Sequence, residues 1–452
     1  MADVKAIFEP RKVVLIGSST IQEEVGMASP KLFRDVIHNM KRFFRGKTLI
    51  VDVDGKVGFD SLEKLPETPD LAVMMLPPDQ SMKQAEKCAR KGVKALILMT
   101  GGYKDVQRQR LLRLSRKHAL RILGPNTIMG VVNTANGLNT TFERDAMPKK
   151  GNIAVVSQSG GVGACLLDWA CFYDFGISKF AFVGDKTDVD DVDLLQYLSS
   201  DKNTKVICLY MEGIKNGREF IEQAKKTVRK KPIIALKGGT TRESARRAKS
   251  HTASIAGSDE IFGAAFKKGG IIRVETIEEL MNAAIALSKQ PPMLGDNVAI
   301  VSNVGGPAIL AADAVVKNNL KLATLSGSTK QKIESLYPGV DAANPIDMIA
   351  DAGAERYEKV LKLVLADDNV DGVLVINMLK STFFEPRDAR VIPKVASHYA
   401  RKPIVDVPAG GEDFVKVHRV LGRTNIPVYN LPDKAVKALR VLRTYGMVAK
   451  KD

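Results

Sequence analysis

Cysteine is scarce and unpatterned. The four in 452 residues, Cys88, Cys165, Cys171 and Cys208, show no CxxC or CxxH spacing. Each falls in an apolar helix or strand pattern, where a buried thiol is expected, and no metal ligand set is predicted. Long apolar runs are missing as well. No stretch reaches the roughly 18 to 20 continuous apolar residues of a membrane helix, and the opening MADVKAIFEPRK has no basic region leading into an apolar one. The expectation is a cytoplasmic chain with no membrane contact. Histidine is rare at five. A complete GxGxxG is absent, and the basic runs Arg108 to Lys117, Lys225 to Lys231 and Arg242 to Lys249 have no interleaved aromatics. These runs read as helix faces, and no nucleic-acid module is predicted.

Positive charge is plentiful. Sixty-eight Lys and Arg against 51 Asp and Glu give a net charge of +17, which favours polyanionic ligands such as a nucleotide, or an acidic partner surface. The length predicts two to three domains. Short β-rich apolar runs alternate with amphipathic helices from end to end, the texture of parallel sheets covered on both faces. The predicted strands are Lys12–Gly17, Thr48–Val53, Leu71–Leu76 and Ala95–Met99, then Asn152–Ser157, Val206–Tyr210 and Ile233–Leu236, then Asn297–Ser302, Gly372–Ile376 and Pro403–Val407. Pro148-Lys149-Lys150-Gly151 reads as one linker. Pro291-Pro292, after a helix spanning Glu278 to Ser288, reads as a second boundary. The domains expected are 1–147, 148–292 and 293–452. The last two open on near-duplicates: NIAVVSQSGG from Asn152 aligns without a gap on NVAIVSNVGG from Asn297. This is an internal duplication of a flavodoxin-like unit.

Three places could carry chemistry. Gly17-Ser18-Ser19 follows the first strand, where α/β sheets bind phosphates, and a tight turn without ligand is the alternative. Asp52 ends the second strand, where an acid often meets a ribose hydroxyl, which keeps an NAD-dependent oxidoreductase open. Ser157-Gln158-Ser159-Gly160-Gly161 ends a strand and opens a helix; its free N–H groups, the helix dipole and two hydroxyls suit an anion, and simple capping is the alternative. His251 stands in SHTASIAG, a loop of small polar residues between a basic helix and an apolar one. A neutral imidazole there can take a phosphoryl group and pass it on; an exposed or capping histidine fits the residues as well. Glu212 follows the strand VICLY and either holds a ring nitrogen of His251 or caps a helix. His38, His118, His398 and His418 fall in helical patterns and read as structural.

At this point the whole chain resembles the α subunit of ADP-forming (NDP-forming) acyl-CoA synthetases, the acetate–CoA ligase relatives of succinyl-CoA synthetase. FEPRKVVLIGSS, LGPN, GLNTTF, NIAVVSQSGG, GDKTDVDDVDLLQYL, SHTASIAG, NVGGPAILAAD and NPIDMIADA carry the resemblance. It implies a Rossmann-like CoA-binding domain followed by two flavodoxin-like parallel-sheet domains. It implies that acyl-CoA and phosphate give acyl phosphate and CoA, that His251 takes the phosphoryl group, and that ADP receives it. Gly17, Ser18, Ser19 and Pro77 would face CoA, Lys56 would offer a cation to its phosphates, and Asn126 would lie near the thioester. Ser157, Gln158, Ser159, Gly160 and Gly161 would hold phosphate, with Glu212 supporting His251. No ATP-grasp domain is implied after residue 290. ADP or ATP with Mg2+ would therefore sit on a separate ATP-grasp β subunit, in an α2β2 assembly that also takes a small carboxylic acid. Asp52-Val53 stands where the family shows Asn-Pro, and Val304 where it shows Ala. A CoA- or nucleotide-sensing protein of the same fold is the non-enzymatic alternative.

Overall fold

Branched apolar residues dominate the strands, and those runs build three mainly parallel sheets. The computed structural model describes residues 4–21, 25–173, 175–244, 259–380 and 383–449. In the first sheet, β1 (Lys12–Gly17), β2 (Lys47–Asp52), β3 (Leu71–Met74), β4 (Ala95–Leu98) and β5 (Arg121–Leu123) run parallel in the order β2-β1-β3-β4-β5. The helices beside them are α1 (Lys5–Phe8), α2 (Pro30–Phe43), α3 (Pro78–Lys91) and α4 (Asp105–His118). Val14, Ile16, Met74 and Leu98 from the strands join Met82, Ala85 and Cys88 of α3 in one buried cluster. The chain order reverses between β1 and β3, and ligands of such sheets bind where the order reverses.

The second sheet contains β6 (Val131–Asn133), β7 (Leu138–Asn139), β8 (Lys150–Ser157), β9 (Ile177–Phe182), β10 (Val206–Met211), β11 (Ile233–Lys237) and β12 (Ile272–Val274), ordered β12-β11-β10-β8-β9-β6-β7. Its helices are α5 (Gly160–Phe172), α6 (Asp191–Ser200), α7 (Gly217–Val228) and α8 (Asp259–Gly269). The order reverses between β8 and β10. Strand β6 runs antiparallel to β9 and β7, so residues before the Pro148 linker complete the edge of this sheet. No strand is predicted between Met99 and Asn152, and β5, β6 and β7 correct that. At three, three and two residues they are too short to show a period.

The chain forms two compact units, Met1–Glu275 and Thr276–Asp452. Helix α9 (Ile277–Lys289) ends just before Pro291-Pro292 and belongs to the second unit. There it packs on α15 (Pro432–Ala449), with Lys434 and Lys437 donating to Glu278 and Glu279 at 2.5 and 2.8 Å. The sheet of this unit, β13 (Asn297–Ser302), β14 (Lys321–Leu322), β15 (Ile346–Asp347), β16 (Gly372–Asn377) and β17 (Ile404–Pro408), is ordered β14-β13-β16-β17, with β15 pairing β13. It is flanked by α10 (Gly305–Lys317), α11 (Gly327–Leu336), α12 (Ala354–Ala366), α13 (Val391–Ala396) and α14 (Gly411–Leu421). The fold is therefore a Rossmann-like domain followed by two flavodoxin-like parallel-sheet domains.

Two smaller expectations are corrected. Cys88 and Cys208 are buried, but Cys165 and Cys171 are exposed, because they lie on the solvent side of α5 at positions that hydropathy alone does not separate from core. His398 lies in the turn beyond α13, which ends two residues earlier at Ala396. Among the described residues, no helix is long and apolar enough to cross a membrane.

Candidate active site

The first half of the site lies along the carboxyl edge of the first sheet. Gly17 is a glycine for packing: a Cβ there would sit 2.3 Å from the Phe33 ring of α2. Ser18 is buried, and its hydroxyl donates to Asp54 Oδ2 at 2.6 Å and accepts the Ile21 N–H at 2.9 Å. That hydroxyl is the main reason the Asp54 carboxyl is held below the usual carboxylate range. Ser19 has a buried Oγ without a hydrogen-bond partner. Lys56 is exposed, and Pro77 caps α3 at the end of the β3 connection. Asn126, beyond β5, has a left-handed backbone at φ 63°. It lies three strand spacings, roughly 14 Å, across the sheet from β1.

Asp52 is fully buried. Its Oδ1 accepts the N–H groups of Ser19 and Asp54, each at 3.1 Å, and its Oδ2 those of Lys56 and Val57 at 3.2 and 3.1 Å. A carboxylate so occupied shapes the loop around Ser19 and Lys56 and has no freedom to take a ribose hydroxyl. The residue that kept a nicotinamide cofactor open is thus a scaffold for the loops that carry Ser19 and Lys56.

The second half lies where the order of the second sheet reverses. Ser157 Oγ donates to Ser159 O at 2.7 Å and accepts the Ser159 N–H at 3.2 Å, closing a tight turn into α5. Ser159 is the N-cap, accepting the Val162 N–H at 3.4 Å. Among the described residues, a Cβ on Gly161 would meet nothing within 4 Å, so this 13-residue helix is open at its second residue. The N–H groups and positive dipole end of such a helix start are chemically suited to an anion. Gln158 faces the other way. Its Oε1 accepts the N–H groups of Glu212 and Gly213 at 2.5 and 2.9 Å, and its Nε2 donates to Gly213 O at 2.7 Å. Its amide is bonded to the loop after β10, so Gln158 positions the Glu212 main chain.

Glu212 Oε1 accepts from the Tyr210 hydroxyl at 3.3 Å. Burial, with the Glu212 charge adding to it, pushes the Tyr210 phenol up to about 12. At the neighbouring strand end, Lys237 is buried, its ammonium 4.6 Å from the centre of the Phe262 ring and donating to Gly238 O. Burial lowers its proton affinity, against the pull of Asp259 and Glu212. His251 lies outside the described residues. The chain leaves β11 beside this cluster at Lys237 and is described up to residue 244 and again from α8. Tyr210 and Lys237 are site neighbours that sequence reasoning missed. Both sit inside strand runs, where they read as sheet residues, and only their place at the carboxyl edge distinguishes them.

The two halves, a ligand edge on a Rossmann-like sheet and an anion cradle beside a carboxylate on a flavodoxin-like sheet, match a known combination of families. A CoA binding domain family matches residues 11–133, a succinyl-CoA ligase like flavodoxin domain residues 150–287, and a ligase-CoA domain residues 298–445. The α subunit of acetate–CoA ligase [ADP-forming] II from Pyrococcus furiosus is 37% identical over 96% of both chains. The chain belongs to the α subunits of the ADP-forming acid–CoA ligases. Within that family the 4-hydroxybutyrate–CoA ligase [ADP-forming] of Nitrosopumilus maritimus is 32% identical over 96% of this chain, which spans 63% of that longer protein. The acetyl-coenzyme A synthetase 1 of Ca. Korarchaeum cryptofilum, solved in complex with phosphate and ADP, superposes with a TM-score of 0.91 at 30% identity, over 100% of this chain and 98% of that one.

Proposed function

We propose that the chain is the catalytic α subunit of an acid–CoA ligase that moves a phosphoryl group through His251. Acyl-CoA lies along the carboxyl edge of the first sheet, against Gly17, Ser18, Ser19, Lys56 and Pro77, with its thioester toward Asn126. Phosphate, held by the first turn of α5 at Ser157, Ser159, Gly160 and Gly161, attacks the thioester carbonyl. The C–S bond breaks, CoA leaves as thiolate, and an acyl phosphate remains. A neutral ring nitrogen of His251 then attacks phosphorus, and the P–O bond to the acyl group breaks with release of the carboxylate. Glu212 accepts the other ring N–H, fixing the tautomer and compensating the charge of the phosphoimidazole. An oxygen of the terminal phosphate of ADP finally takes the phosphoryl group as the N–P bond breaks. We place ADP or ATP, with Mg2+, on a separate ATP-grasp β subunit in an α2β2 assembly in the cytoplasm. Relatives named for acetate and for 4-hydroxybutyrate support a small carboxylic acid as substrate, of the acetate type.

Catalysis of this kind needs positioning and charge compensation more than covalent help from the protein. One observation carries the reading: Gln158 ties the Glu212 loop to the turn that opens α5, so a histidine-orienting acid and an anion cradle share one sheet edge. Mass spectrometry of the assembled enzyme turning over acetyl-CoA, phosphate and ADP should find phosphate on His251. His251→Ala should lose turnover and retain CoA binding. An unmodified ring in a working complex overturns the mechanism, and a CoA sensor without turnover would never carry the labile phosphate.

A further inference from the structure

A buried ion pair lies behind Glu212. Lys186 Nζ meets Asp191 Oδ2 at 2.5 Å, with side-chain exposures of 3% and 4%. Such a pair gives little net stability, because well-packed apolar residues of the same volume do as well or better. Each partner here has a second contact. Lys186 Nζ also donates to Gly213 O at 2.8 Å, and Asp191 Oδ1 accepts from Gln158 Nε2 at 3.4 Å. Gln158 in turn binds the Glu212 and Gly213 N–H groups, and Lys215 Nζ, from the same turn as Glu212, donates to Lys186 O. The Glu212–Gly213 main chain is therefore held on its N–H side by Gln158 and on its carbonyl side by both Gln158 and Lys186, of which only Lys186 is a charged donor.

The segment carrying Lys186 is itself fixed on its far side. Asp185 N–H donates to Pro125 O at 2.9 Å and Thr187 N–H to Gly124 O at 3.0 Å. The Asp185 carboxylate accepts from Asn126 Nδ2 at 3.3 Å and Arg108 Nη1 at 3.1 Å. Lys186 thus rests on the loop that carries Asn126 and reaches from it to the loop that carries Glu212.

We propose that Lys186, with Asp191 as its counter-ion, is a positioning residue that sets the Glu212 carboxylate for phosphoryl transfer. This rests on the role given above to Glu212 and His251. Without the ammonium, the Gly213 carbonyl loses its charged donor and keeps only the neutral Gln158 amide, so the Glu212 loop is held less tightly. A misplacement of about 1 Å costs on the order of a hundredfold in rate.

The test is a Lys186→Met, Asp191→Leu double variant, which leaves no charge buried alone. In the assembled enzyme, labelling of the protein from acetyl-CoA and radiolabelled phosphate should slow by about ten- to a hundredfold. The KM for acetyl-CoA and the affinity for CoA should stay at wild-type values, a split that general loosening of the fold does not give. If the double variant does not fold, the closer-shaped Lys186→Gln, Asp191→Asn pair removes the charged donor to Gly213 O while keeping polar partners, and should give the same split. A folded variant of either kind with wild-type labelling overturns the proposal. Glu212→Gln is assayed alongside. Wild-type labelling there overturns the role of Glu212, and the proposal with it. Slow labelling there beside a wild-type double variant overturns the positioning role alone.

Discussion

A single methyl at Gly161 separates the effect on the fold from the effect on the anion. A Cβ at Gly161 meets nothing within 4 Å, whereas one at Gly163, two residues on, would lie 2.8 Å from the Phe180 ring. Both residues are in the first turns of α5, which starts at Gly160. Helical Cα–Cβ bonds tilt toward the N-terminus, so the Gly161 methyl leans into the space proposed above for phosphate. For the fold, Gly161→Ala should gain about 0.5–1 kcal/mol by restricting the unfolded chain, or roughly 1–3 °C in Tm. For catalysis, displacing an anion from directed donors should cost about ten- to a hundredfold. Calorimetry and the phosphate dependence of acetyl-CoA cleavage in the assembled enzyme measure the two effects separately. Gly163→Ala should do the reverse, losing about 1–3 kcal/mol by overpacking with the phosphate dependence unchanged. A Gly161→Ala enzyme with raised Tm and unaltered phosphate dependence would refute the cradle.

Other substitutions test the scaffold. Gly17→Ala should destabilise by about 1–3 kcal/mol through the Phe33 ring 2.3 Å away, and Phe33→Leu should recover part of the loss in denaturant midpoint. Asp52→Ala leaves four main-chain N–H groups without their acceptor. It should cost at least about 3 kcal/mol and abolish the rise in Tm that CoA gives the wild type; a full CoA-induced rise would detach Asp52 from the ligand edge. The raised Tyr210 phenol sets an alkaline limit, because a group whose folded value lies above its unfolded one stabilises fully below the unfolded value and loses that contribution as pH rises through the folded one. For Tyr210 the window runs from 10.0 to about 12. Wild type should therefore lose stability relative to Tyr210→Phe over that window, and a difference that does not change with pH would contradict it.

Much of this architecture was legible because both flavodoxin-like units open on the same residues, and strands buried on both faces write themselves as unbroken apolar runs. Strands β1 and β13 match their predicted bounds, and the other predicted strands lie within a residue or two of the observed ones. What stayed hidden has physical causes. Strands β6 and β7 are short and antiparallel, and the pairing of β6 with β9 that puts β7 at the sheet edge is tertiary. The commitment of Asp52 to four N–H groups is a property of the turn it caps. In the sequence it looks the same as an acid awaiting a ribose. Lys186 and Asp191 stood inside a recognisable motif, but ion pairing between two residues of a loop says nothing about the third loop they support.

The duplication also reaches the hydrogen bonds, and this separates what the repeat preserves for folding from what one copy adds for chemistry. Ser302 Oγ donates to Val304 O at 2.8 Å and accepts the Val304 N–H at 3.1 Å, as Ser157 does with Ser159. Asn303 clasps the Met378 N–H and carbonyl beyond β16, as Gln158 clasps Glu212 and Gly213 beyond β10. In both copies a strand-end amide therefore fixes the loop across the reversal of strand order, a need of the fold wherever β8 or β13 must register with its neighbour. The copies then diverge. Ser159 caps its helix with a hydroxyl and Val304 offers none. The clasped residue is a carboxylate at 212 and a thioether at 378. In the first copy a side-chain-capped helix start faces an acid, and buried Lys186 reinforces the clasp. The chemistry was laid over a turn that the fold already required.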